Sequence, residues 1–177
     1  MNIRSFSEKT PILQTPRLTL RPFAPTDVDN AIAIFQSDKV KATYMLPDFP
    51  THEDAVKLFD RLMTLSNGSE HLVLGIALDN SLIGFLNDTG AENGMIEVGY
   101  ALHPDYWNRG YATEALTAVI EELFRLGFST VRAGFFEENP ASGRVMEKSG
   151  MHRIDYSDSI DYRGQTHRCI YYEINRI

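Results

Sequence analysis

A single cysteine, Cys169, stands in 177 residues, so the chain cannot build an internal disulfide framework. No apolar run approaches the ~18 residues that span a bilayer. The opening stretch, MNIRSFSEKTPILQTPRL, lacks the apolar core of a secretory signal. These absences lead us to expect a cytoplasmic chain with no membrane partner. Positive charge is also short: 24 acidic residues face 17 basic ones, a net charge of −7. A free-standing nucleic-acid binder neutralises phosphates with a basic surplus, so nucleic acid is not an expected partner and a cationic one is favoured. His71, His103, His152 and His167 show no metal-ligand spacing, and no metal is expected. No glycine-rich loop ends in Lys-Ser or Lys-Thr as a P-loop does, and no three-glycine dinucleotide fingerprint opens an early βαβ unit. Neither repeat nor low-complexity linker divides the chain, and with an apolar fraction of 43% it is expected to form one domain over residues 1–177.

The segments that are present alternate between two periods. RLTLRPF at 17–23 alternates like a half-buried strand. After it, Thr26 with Asp29 is expected to cap a helix bearing Val28, Ala31, Ile32 and Phe35 on one face, and Thr51 with Asp54 repeats the device before Val56, Phe59, Leu62 and Met63. HLVLGIAL and SLIGFLN flank a hairpin turn at Asp79-Asn80, and MIEVGYAL at 95–102 supplies the next strand. From Ala112, apolar positions Ala115, Leu116, Val119, Ile120, Leu123 and Phe124 define a helix that ends at Gly127. STVRAGFF is a strand. NPASGRVMEKSG is a short helix with Asn139 as N-cap and Pro140 at its first position. MHRIDYS and THRCIYYEI close the chain as a strand pair, with Cys169 as a small core residue in the second. The order β-α-α-β-β-β-α-β-α-β-β is that of a mixed α/β domain.

Between the fourth strand and the long helix lies HPDYWNRGYATEA, residues 103–115. A turn of that composition leaves backbone N–H groups uncovered at a helix start, where the aligned peptide dipoles amount to roughly half a positive charge. An anion fits there. The block resembles the pyrophosphate-binding motif Gln/Arg-x-x-Gly-x-Gly/Ala of the GNAT superfamily of acyl-CoA-dependent N-acyltransferases, falling on Trp107, Gly110 and Ala112. TPRLTLRPF, EVGYALHPDYWNRGYATEAL and ENPASGRVMEKSGM extend the resemblance over nearly the whole chain and are similar to the RimJ/RimL-type branch, which acetylates N-terminal amines of ribosomal proteins. The resemblance implies a mixed, mostly antiparallel sheet of about seven strands flanked by about four helices. It implies acetyl-CoA as co-substrate, held by Asn108, Arg109, Gly110, Tyr111, Ala112 and Thr113. It also implies an amine-bearing acceptor and a monomer or homodimer.

The same resemblance gives further residues their roles. A backbone N–H near Ala101 or Leu102, where the family's strand splays from its neighbour, serves as oxyanion donor. Asn139 contacts the pantetheine side, and Ser142 protonates the departing thiolate; ordinary helix capping and a hydroxyl bonded to backbone are the alternatives. By strand alternation Glu97 points opposite to Ile96, Val98 and Tyr100, beside Gly99 and Ala101, which makes it the candidate base or else a solvent-facing carboxylate. Glu114 complements the helix dipole, and Tyr171 or Tyr172 is a packing residue or an alternative acid. A non-catalytic acyl-CoA sensor, or the same chemistry on a polyamine, antibiotic or amino acid, remains open, with acceptor walls expected from Tyr44 to Phe49 and the loop SDSIDYRGQ.

Overall fold

The computed structural model describes residues 10–177. Residues 1–9 of the expected domain lie outside the described residues. The alternating segments become β1 (Leu13–Gln14), β2 (Leu18–Arg21), β3 (Val73–Leu78), β4 (Ser81–Glu92), β5 (Met95–Leu102), β6 (Thr130–Phe136), β7 (His152–Tyr162) and β8 (Gln165–Asn175). The 3.6-period segments become α1 (Val28–Phe35), α2 (Asp38–Lys41), α3 (His52–Ser66), α4 (Tyr111–Arg125) and α5 (Pro140–Lys148). One sheet runs in the order β1-β2-β3-β4-β5-β6-β8-β7. Every neighbouring pair is antiparallel except β5 with β6. This is the mixed, mostly antiparallel sheet expected, with β1 and α2 added. Neither is long enough for a hydrophobic period to register.

Two apolar clusters sandwich the sheet. Ile96, Val98 and Val131 pack with Leu116, Val119 and Ile120 of α4 on one face. Ala101 and Phe85 pack with Ile34, Phe35 and Phe59 of α1 and α3 on the other. At the β3–β4 hairpin Asp79 and Asn80 have φ of 47° and 66°, the pair of left-handed positions that matches the twist of the flanking strands. Cys169 is buried on β8, and burial pushes its thiol up, followed by the charges of Asp158, Glu138 and Glu97.

Capping differs from the expectation at α1. A 3-10 turn at Pro25–Asp27 precedes the helix, and Thr26 is exposed. Asp27, only 2% exposed, stands at the N-cap of α1 without a side-chain cap bond and fastens the preceding turn instead: its carboxylate accepts the Ala24 N–H at 2.8 Å and two Arg21 guanidinium bonds at 2.7 and 2.9 Å. At α3 the expected cap is present, with Thr51 accepting the Asp54 N–H at 3.2 Å. The stretch SDSIDYRGQ is not a loop: β7 continues to Tyr162, and only Arg163-Gly164, with φ of 50° and 75°, makes the turn.

What positions the site is a failure of pairing. β5 and β6 pair only at Met95↔Thr130, Ile96↔Val131 and Glu97↔Arg132. Beyond that rung the strands part, and α4 begins just past the open end of β5. Among the described residues, no helix is long and apolar enough to cross a membrane.

Candidate active site

The turn before α4 supplies donors. Asn108 and Gly110 both have left-handed φ, 59° and 80°, which turns successive N–H groups toward one concavity. Gly110 occupies the N-cap without a side-chain cap, and the first helical bond runs from Glu114 N–H to Gly110 C=O at 3.0 Å. Among the described residues, no backbone N–H from Asn108 to Thr113 meets a protein acceptor. Asn108, Gly110, Tyr111, Ala112 and Thr113 line a cleft of ≈ 380 Å³. Arg109 is not in that lining. Its carbonyl accepts from Arg17 Nη1 at 2.9 Å, and its guanidinium lies 6.0 Å from the Tyr106 ring centre.

Glu114 fastens this turn to the start of the sheet. Its carboxylate accepts the Thr15 hydroxyl at 2.6 Å, the Arg17 N–H at 2.9 Å and Arg17 Nε at 2.7 Å. Burial, the largest single influence, would raise its pKa; the bonds from Thr15 and Arg17, with the Arg17 charge, together hold it below the usual carboxylate value. The Arg17 guanidinium stacks 4.5 Å over the Tyr111 ring, placing a cation beside the open N–H groups. Sequence alone offered Glu114 only a dipole role, because its partner lies 97 residues away.

The splay of β5 separates the two expected oxyanion donors. His103 donates its N–H to Ile83 of β4 at 2.8 Å, and a Cβ on Gly84 of β4 would lie 2.4 Å from the Ala101 carbonyl. Alternation along an antiparallel strand therefore turns the backbone groups of Ala101 toward β4 and those of Leu102 toward the opening. The Leu102 carbonyl accordingly accepts the Trp107 indole N–H at 2.8 Å. Both residues line the cleft, and the Leu102 N–H faces it.

Across the cleft, Asn139 sits at the N-cap of α5 but its side chain makes no capping bond; it lines the cleft instead, so capping does not account for it. Ser142, one turn on, also lines the cleft, and its Oγ is 2.8 Å from the Tyr100 hydroxyl, which also donates to the Ser142 carbonyl at 3.2 Å. Burial pushes the Tyr100 phenol up, partly offset by Ser142, so it stays neutral across the ordinary pH range. The Tyr100 ring packs against the α4-side core, on the side of the strand opposite Glu97, and its hydroxyl reaches α5. Tyr172 donates to Glu147 at 3.0 Å, while Tyr171 lies against Gly134 with its phenol pushed up to about 12 by burial first and then by Glu97; neither lines the cleft.

Glu97 has the orientation alternation gives it, opposite buried Ile96 and Val98. It lies on the last paired rung of β5 and β6, accepts the Thr89 hydroxyl at 3.0 Å, and is outside the cleft lining. The space beside Gly99, on the same side of the strand as Glu97, is filled by the Tyr44 ring. Among the described residues, the cleft lining contains no Asp or Glu; its formal charges are those of Arg144 and Lys148.

A family profile described as acetyltransferase (GNAT) domain matches residues 17–152. An uncharacterized N-acetyltransferase of Bacillus subtilis (strain 168), YoaA, is 30% identical over 148 residues, covering 81% of this chain and 84% of that one. Among solved structures, a GNAT-family acetyltransferase from Bacillus anthracis superposes with a TM-score of 0.81 at 25% identity, over 93% of this chain and 98% of that one. RimL, a ribosomal L7/L12 alpha-N-protein acetyltransferase solved with coenzyme A, superposes with a TM-score of 0.82 at 18% identity, over the same shares, 93% and 98%. With a parted parallel strand pair, uncovered N–H groups at the following helix and a profile spanning most of its length, the chain belongs to the GNAT family of N-acetyltransferases.

Proposed function

We propose that this N-acetyltransferase moves the acetyl group of acetyl-CoA to the N-terminal α-amine of a protein or peptide, by direct attack in a ternary complex. The observation that carries the reading is the set of uncovered N–H groups on Asn108 and on Gly110 to Thr113, residues that line the same cleft as Leu102 and Ser142. Two phosphates need donors and positive charge; the turn offers donors, and Arg17, Arg144 and Lys148 stand around it. Bound acetyl-CoA supplies an activated acyl carbon. Asn139 holds the pantetheine side, the Leu102 N–H donates to the oxygen that gains charge, and Ser142 donates to the departing sulfur. Tyr100 keeps the Ser142 hydroxyl aimed.

The acceptor class follows from protonation. An α-amine has a reference pKa of about 7.7–8.0 and lysine about 10.4, so near pH 7 on the order of a tenth of the former is neutral and under a thousandth of the latter. A cleft lined by no carboxylate offers an ammonium no counter-ion, which favours the amine that enters neutral. RimL, named for ribosomal L7/L12, is an instance of this fold serving that acceptor.

Glu97, just outside the lining, takes the displaced proton through water. Glu97→Gln is expected to lower kcat about tenfold while leaving CoA affinity unchanged. A variant that keeps the full rate near neutral pH removes Glu97 from the mechanism. For the reaction itself, release of free CoA is measured against N-terminal peptides and small amines. Turnover of peptides with unblocked N-termini is expected. CoA binding without turnover on any acceptor would make the chain a sensor, and turnover confined to small amines would exclude the peptide acceptor.

A further inference from the structure

The turn before α4 is held by the one between β1 and β2. That earlier turn is closed on itself, with the Thr15 N–H donating to the Leu18 carbonyl at 2.9 Å and Thr15 Oγ1 accepting the Leu18 N–H at 2.9 Å. Thr15 and Arg17 both reach from it to Glu114, in the first turn of α4.

Three bonds then form a ring. The Glu114 N–H donates to the Gly110 carbonyl at 3.0 Å, the Glu114 carboxylate accepts Arg17 Nε at 2.7 Å, and Arg17 Nη1 donates to the Arg109 carbonyl at 2.9 Å. The ring closes on the peptide that joins Arg109 to Gly110. That peptide is trans, and a trans peptide is planar with its C=O and N–H on opposite sides, so a fixed Arg109 carbonyl fixes the direction of the Gly110 N–H. The Gly110 N–H therefore points away from Arg17, and it is one of those that meet no protein acceptor among the described residues. Glycine readily permits a peptide to flip. Here a flip would break the Nη1 bond and set the N–H against a guanidinium, which has donors only. The guanidinium also covers Gly110: Nη2 lies 3.3 Å from the point where a Cβ would stand, and the Tyr111 ring backs it at 4.5 Å.

Charge alone does not account for the arrangement. A cation beside a phosphate seat attracts best with no carboxylate near it, yet Glu114, its side chain 15% exposed, engages Arg17 at 2.7 Å and offsets its charge. We infer that Arg17 is a positioning residue of the cofactor seat: Glu114 holds its guanidinium so that it pins the Arg109–Gly110 peptide and presents the Gly110 N–H to a diphosphate oxygen. This rests on the proposed seat at residues 108–113 and names what keeps that seat in shape.

The test titrates CoA, and separately pantetheine, which carries no phosphate, into the full chain and its Arg17→Ala, Arg17→Lys and Glu114→Gln variants. Amide resonances of the 15N-labelled proteins read both affinities. Arg17→Ala should weaken CoA about tenfold, the scale of one charge-assisted hydrogen bond. Arg17→Lys should weaken it nearly as much, because an ammonium keeps the charge and lacks the planar fork that spans Glu114 and the Arg109 carbonyl. Glu114→Gln gives the clearest contrast, since the two accounts differ in sign. Removing a negative charge beside an anion seat tightens CoA if charge is all that matters, whereas a released peptide weakens it by about fivefold or more. Pantetheine affinity should stay within about twofold of native in every variant, which also shows that the variants are folded. Native CoA affinity in Arg17→Lys, or tighter binding by Glu114→Gln, would overturn the inference and leave the seat in place. An equal loss for CoA and pantetheine would overturn it too, as the mark of a general loss of structure. A native chain that binds pantetheine and CoA equally would remove the diphosphate seat and the inference with it.

Discussion

Gly110→Glu abolishes CoA binding: titration with CoA gives no measurable heat where the native chain gives a saturable isotherm. Three effects act in one direction. Gly110 sits at φ 80°, a conformation that costs an ordinary L residue about 1–2 kcal/mol. Its Cβ would lie 3.3 Å from Arg17 Nη2, so the new carboxylate would capture the nearby cation. The carboxylate would also place negative charge among the N–H groups offered to the diphosphate, where like-charge repulsion is least screened. Gly110→Ala separates strain from charge, because it keeps the turn neutral; its affinity should fall by about tenfold, from the backbone term alone. Unchanged affinity in Gly110→Glu would place the phosphates elsewhere.

Asp27→Ala is expected to lower stability by about 3 kcal/mol, since removing one partner of a buried ion pair leaves the other charge uncompensated. The loss has two parts. Arg21 would keep its half-buried guanidinium without the paired bonds at 2.7 and 2.9 Å, and the Ala24 N–H at the entry to α1 would lose its acceptor. For a chain of this length each kcal/mol moves the midpoint by about 2–4 °C, so melting should fall by about 10 °C. Calorimetric melts of the two proteins decide it; a shift of a degree or less would mean that water replaces the carboxylate at little cost.

Elements with a strong period were legible and those defined by partners were not. MIEVGYAL yields β5 with its bounds intact because alternation places Ile96 and Val98 in the core, and the Asp79-Asn80 hairpin is forced by two residues that tolerate positive φ. The Gly110 turn was legible because its chemistry is local: glycine, small neighbours and an amphipathic helix stand within a few positions. Asp27 was missed because Thr26 fits a capping pattern equally well, and only Arg21, on the neighbouring strand, decides between them. Tyr100 was missed as a site residue for a related reason: what brings its hydroxyl to the cleft is Ser142, far along the chain. Tyr44 stood among the expected acceptor walls, but its partner Asn87 could not be read from its own segment. The splay itself is a missing set of bonds between β5 and β6, for which no residue pattern exists.

The phosphate seat is tested most directly by following backbone amide resonances of the 15N-labelled chain as CoA is added. The signals of residues 108 to 113 should move first and furthest, downfield as each N–H gains an acceptor, with Leu102 little changed until an acetylated carrier is used. Signals from that turn that stay still while others respond, or a spectrum unaltered at saturating CoA, would contradict it.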